Sequence, residues 1–111
     1  MDLIQASGTR FSSTSGEAAG GSATITRAGV NGRTFYITDV SASAAEATAN
    51  LRIFSATTFF WQDRVNGSAT AAYVKEFIQP LAIPTGSGFT VRVLTGSTGS
   101  AYVNVSGYFI N

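Results

Sequence analysis

Two neighbouring stretches decide the fold: Gly88-Phe89-Thr90-Val91-Arg92-Val93-Leu94 and, after Thr95-Gly96-Ser97-Thr98-Gly99, Ser100-Ala101-Tyr102-Val103-Asn104-Val105-Ser106-Gly107-Tyr108-Phe109-Ile110. Apolar residues recur at every second position, the period of a strand with one buried face and not that of a helix. Phe89, Val91 and Val93 are therefore predicted to face a core, with Thr90 and Arg92 outside. In the second run Ala101, Val103, Val105 and Gly107 form one face, and Tyr102, Asn104, Ser106 and Tyr108 the other. The short Gly/Ser/Thr connection makes an antiparallel hairpin the simplest link between the two strands.

The same texture extends towards the N-terminus. Short β-branched and aromatic runs, separated by Gly, Asn, Ser and Pro, predict strands near Ala23 to Arg27, Thr34 to Ser41, Ala49 to Ser55, Phe59 to Val65 and Ala72 to Gln79. An eighth strand is open near Thr9 to Ser13. Asn31-Gly32 supplies residues that tolerate positive φ, as a tight hairpin requires. Pro80 and Pro84 bracket Leu81-Ala82-Ile83; proline donates nothing to a ladder, so this segment belongs at an edge or in a connection. Ser43 to Thr48, alanine-rich around Glu46, reads as a loop or a helical turn. Seven or eight short strands predict an all-β, antiparallel two-sheet sandwich.

The 111 residues suffice for one core, burying roughly two thirds of the surface exposed by the unfolded chain. Residues 1–22, poor in large apolar side chains apart from Ile4 and Phe11, read as a flexible arm preceding a domain over 23–111, the arm offering Ile4 and Phe11 to a partner. No cysteine is present, which removes disulfides and thiolate metal sites. No histidine is present either, which removes the commonest general base and the commonest transition-metal ligand. The seven basic residues are spread singly, so no stripe for nucleic acid emerges. No apolar stretch approaches the roughly 20 residues of a membrane span. The start lacks a positively charged region ahead of an apolar run, so a cytoplasmic origin is expected.

Among the acidic residues Asp2, Glu17, Asp39, Glu46, Asp63 and Glu76, none forms a recognisable catalytic pair. The serines and threonines lack a histidine to activate them. Neither glycine-rich stretch matches a phosphate loop. These absences predict a protein that is not an enzyme and carries no cofactor or metal.

Three strands carry more aromatic surface than alternation hides. Phe54, Phe59, Phe60, Trp61, Tyr73 and Phe77 leave rings outside whichever face is assigned to the core. Either copies of the chain cover one another through these six rings, or loops, the arm or a bulge cover them within one chain. A third use is a platform around Trp61 that stacks against a sugar ring, as in a monomeric carbohydrate-binding module.

Phe35-Tyr36-Ile37-Thr38-Asp39-Val40-Ser41, Leu51-Arg52-Ile53-Phe54, Pro80-Leu81-Ala82-Ile83-Pro84-Thr85-Gly86 and Val103-Asn104-Val105-Ser106-Gly107-Tyr108 together resemble the small jelly-roll proteins of tailed-bacteriophage virions. The resemblance implies a jelly-roll topology and a self-assembling, trimeric structural protein of the head-decoration, cement or fibre-associated type. Such a protein would be made in the host cytoplasm and bound in the virion to a capsid or other virion protein.

Overall fold

The computed structural model describes residues 8–17, 22–44, 49–55, 58–65, 73–95 and 101–111. They form eight strands: β1 (Thr9–Glu17), β2 (Ser22–Arg27), β3 (Thr34–Ala44), β4 (Ala49–Ser55), β5 (Thr58–Val65), β6 (Tyr73–Ala82), β7 (Phe89–Thr95) and β8 (Ala101–Ile110). One sheet runs β1-β8-β3-β6 and the other β2-β7-β4-β5, with every pairing antiparallel. The pairs β1:β8, β2:β7, β3:β6 and β4:β5 are the rungs of one long hairpin-like ribbon. Rolling that ribbon so that β8 meets β3 and β7 meets β4 gives the jelly roll. Among the described residues no helix is long and apolar enough to cross a membrane.

Alternation places the core as the sequence predicts. Phe89, Val91 and Val93 of β7 and Ala101, Val103 and Val105 of β8 are buried in one core with Leu51 and Ile53 of β4 and Phe35, Ile37 and Val40 of β3. Each such Val, Leu, Ile or Phe side chain removed from water contributes roughly 1.5–3 kcal/mol. In β3 the buried positions run 35, 37, 40 and 42, because Thr38 is an extra residue opposite β8, and the register with β6 breaks at the same point. The bulge shifts the phase once, keeping Val40 inside and turning Asp39 outward.

Four expectations are corrected. Phe11 belongs to a strand and not to an arm: β1 pairs with β8 from Thr9↔Phe109 to Glu17↔Ala101, and Phe11 is only 8% exposed. The physical reason is Gly107, which sits opposite Phe11 in the ladder and, lacking a side chain, leaves room for the ring. A Cβ at Gly107 would lie 3.1 Å from the ring and 2.1 Å from the Tyr36 carbonyl oxygen. Phe11 then packs with Phe35 and Phe89 at centroid distances of 5.8 and 5.9 Å, and the Arg27 guanidinium covers it at 4.7 Å. Ile4 and Glu46 lie outside the described residues.

The chain does turn at Asn31-Gly32, with φ of 80° at Gly32 and Arg33 N–H donating to Val30 O at 2.9 Å, but it passes from one sheet to the other and makes no hairpin. β7 and β8 likewise lie in different sheets. A sandwich offers each strand two places to go, and turn chemistry alone does not choose between them. Lastly, Tyr108 faces outward from β8 yet is buried: Tyr36 stacks on it at 5.0 Å and the backbone at Gly8 lies against its ring. Pro80 lies within β6, an edge strand, where a missing N–H is tolerated.

Candidate functional site

β5 and β6 are each an edge strand, one of each sheet, and their inward faces meet across one open side of the sandwich. In β5 the register slips between Ile53↔Trp61 and Phe54↔Phe59, making Phe60 an extra residue. The bulge brings both Phe60 and Trp61 against the core and leaves Phe59 outside beside Phe54, ring to ring at 5.6 Å. In β6, alternation turns Tyr73, Lys75 and Phe77 towards Trp61, and Val74, Glu76 and Ile78 away. Trp61 meets Tyr73 at 6.2 Å and Phe77 edge-on at 5.5 Å.

Polar groups rim this aromatic edge. The Tyr73 hydroxyl donates to Asp63 Oδ2, Arg64 N–H donates to Asp63 Oδ1 at 2.8 Å, and the Lys75 ammonium lies 5.7 Å from the Phe77 ring centre. The hydrogen bond from Tyr73, helped by the Arg64 amide and the charge of Lys75, holds the Asp63 carboxyl below its ordinary range. Partial burial, and then the bond to Asp63, push the Tyr73 phenol up to about 12. Near neutral pH the site therefore presents a carboxylate, a phenol and an ammonium beside three half-buried rings.

The other carboxylates lie elsewhere. Asp39 and Glu76 are cross-strand partners of β3 and β6 in the first sheet. Among the described residues no cluster of three or more potential metal ligands occurs. Elsewhere on that sheet Thr14 Oγ1 donates to Asn104 Oδ1 at 2.9 Å beside Tyr102.

The outer face of the second sheet is basic. Arg52 of β4 and Arg92 of β7 are directly opposed, and Arg64 of β5 stands diagonal to Arg52. Arg52 lies 5.3 Å from the Phe59 ring centre, and Arg92 lies 5.3 Å from that of Phe54. At one end a cleft of about 230 Å³ is lined by Thr26, Arg27, Ser55 and Thr90.

Of the six rings expected at an interface, Phe60, Trp61, Tyr73 and Phe77 pack half-buried against the chain's own core, and Phe54 is half-buried on the outer face. Only Phe59, 58% exposed, stands widely open. Among the described residues the most exposed large apolar side chain is instead Ile78, on the same outer side of β6 as Val74. Sequence reasoning singled out Trp61 and Tyr73 but missed Asp63 and Lys75 as their companions, and it read the arginines as scattered. Alternation already turned Arg52 and Arg92 outward, but only the β7-β4 neighbourhood joins them.

No family model matches the chain, and no curated protein matches it in sequence. Solved structures do match in fold. The core of Drosophila NLP, described for pentamer formation and histone binding, superposes with a TM-score of 0.54 at 15% identity, covering 93% of this chain and 99% of that one. The carbohydrate-binding module CBM36, in complex with calcium and xylotriose, gives 0.50 at 16% identity over 84% of this chain and 77% of that one. A CBM4 module gives 0.50 at 18% identity over 78% and 60%. At such identities the likeness is one of fold.

Proposed function

We propose that this chain is a non-catalytic carbohydrate-binding module whose site is the aromatic edge between β5 and β6. The observation that carries this reading is the grouping of Trp61, Tyr73 and Phe77 with the Asp63 carboxylate, the Tyr73 hydroxyl and the Lys75 ammonium at one open edge. A sugar ring offers apolar C–H faces to aromatic rings and hydroxyls to a carboxylate and an ammonium, and this edge supplies both kinds of partner. A lone carboxylate held ionised suits hydrogen bonding and not acid–base catalysis, which needs a second carboxyl across the bond to be cut. The shared fold of CBM36 and CBM4 agrees with this reading. Affinity electrophoresis through gels containing single soluble polysaccharides tests it. Retardation by at least one neutral glycan is expected, together with its loss in Trp61→Ala and its weakening in Asp63→Asn, a surface change that spares the core. Equal retardation of wild type and both variants would refute the site.

A second reading, assembly as a virion structural protein, draws on a separate observation. β6 is an edge strand whose outer side carries the exposed Ile78 and Val74, a surface suited to a second copy. The NLP core, of the same fold, is associated with pentamer formation. Light scattering on a dilute sample decides it: a trimer or other closed oligomer supports assembly, and a monomer removes it.

A further inference from the structure

The outer face of the second sheet carries a charge arrangement that its own fold leaves unbalanced. Arg52 and Arg92 are direct cross-strand partners, and like charges so placed destabilise a sheet. Arg64 adds a third on the diagonal. Among the described residues no Asp or Glu shares this face: Asp63 turns inward to Tyr73, while Asp39 and Glu76 belong to the other sheet. The arginines are nevertheless held in place, Arg52 beside Phe59 and Arg92 beside Phe54, with Arg92 Nε also 3.4 Å from Thr24 Oγ1. Arg52 Nε is buried and has no hydrogen-bond acceptor among the described residues. A guanidinium pair held in this way is arranged for a planar or tetrahedral oxyanion, which guanidinium binds through paired N–H···O bonds.

We propose that this face binds an acidic glycan, with Arg52 and Arg92 gripping a carboxylate or sulfate and Arg64 steering it. That the anion is carried on a sugar chain rests on the carbohydrate reading above and on the neighbours of the arginines. Thr24, Thr90, Asn50 and Gln62 intersperse the charges with hydroxyl and amide groups suited to sugar hydroxyls. Nucleic acid, at one charge per roughly 1.7 Å of duplex, calls for a longer basic track than one cluster of three arginines. A second copy of the chain would find little widely exposed apolar surface here beyond Phe59 and Leu94.

The test measures binding of the full chain to polygalacturonate, dextran sulfate, neutral xylan and a single-stranded oligonucleotide. Wild type is compared with Arg52→Gln, Arg92→Gln and a charge-matched control, Arg10→Gln, on the opposite sheet. Expected are salt-sensitive binding of an acidic glycan, a loss of about tenfold or more in each of the two face variants, and no change in the control. The proposal falls if all three variants bind acidic glycans alike, if no acidic glycan binds, or if the oligonucleotide binds more tightly. Neutral xylan reads the β5–β6 edge separately. Xylan binding that survives Arg52→Gln while acidic binding is absent refutes this proposal alone. Arginine-dependent acidic binding without any neutral binding leaves it standing and refutes the edge site.

Discussion

Replacing Phe11 with alanine tests the fold where sequence and structure diverge most. If residues 1–22 were an arm, the change would touch only a loose segment and alter stability by no more than about 0.5 kcal/mol, as surface substitutions do. In the structure the ring is 8% exposed, lies over Gly107, and packs on Phe35 and Phe89. Phe→Ala in a packed core costs about 3–5 kcal/mol. β1 is an edge strand with room to relax, which places this site near 3 kcal/mol on that scale. Losing the ring face under Arg27 adds about 0.5–1 kcal/mol. The sum of the two, about 3.5–4 kcal/mol, is a large share of the roughly 5–15 kcal/mol that holds a typical domain together. Urea unfolding followed by circular dichroism reads it directly: the midpoint should fall by about 1–4 M, taking the usual slope of about 1–3 kcal/mol/M for a small domain. Ser12→Ala, the exposed neighbour, serves as control and should leave the midpoint unmoved. A Phe11→Ala midpoint that matches the Ser12→Ala midpoint would refute the assignment of β1 to the core.

Gly107→Ala should be at least as damaging, because the added methyl meets the Tyr36 carbonyl, backbone that no rotamer change can clear; a thermal melt should show a loss at or above the roughly 1–3 kcal/mol of ordinary overpacking, and an unchanged melt would mean a different register between β8 and β3. Tyr73→Phe should remove the phenol that titrates at about 12, so the difference between wild-type and variant absorbance titrations should have its midpoint there and not near 10. The raised phenol lends stability that is complete below its unfolded pKa and fades as pH climbs to about 12. The lowered Asp63 carboxyl lends stability that is complete above its ordinary value of 3.8 and fades as pH drops through its lower folded value. Because water screens both groups, each effect on stability should be small. Ile78→Lys should leave the melt unchanged, since that side chain is fully exposed, and should lower the mass by light scattering only if copies pair through β6. Phe60 and Phe77 are poor probes of assembly, because both pack against the chain's own core.

The inward faces of β7 and β8 were legible because each strand keeps strict alternation along its buried stretch. β3 and β5 were less so, since one extra residue, Thr38 or Phe60, resets the phase and does not announce itself in composition. In β5 that slip converts an apparent excess of rings into a half-buried edge. Phe11 was hidden for a different reason: its burial depends on a glycine 96 positions away, and that pairing exists only once strand order is known. Trp61 stood out as a lone tryptophan among aromatics. Its charged companions and the Arg52–Arg92 pair did not, because adjacency across strands is written in topology and not in local spacing.

Trp61 is the single tryptophan of the chain, so its fluorescence reports on the proposed sugar site without a label. Titration with a panel of neutral oligosaccharides, xylotriose first, should produce a saturable shift of its emission with at least one of them, and the shift should weaken in the folded Asp63→Asn, Lys75→Ala double variant. Emission that stays constant across the panel, or a shift of equal size and affinity in the double variant, would contradict glycan binding at the β5–β6 edge.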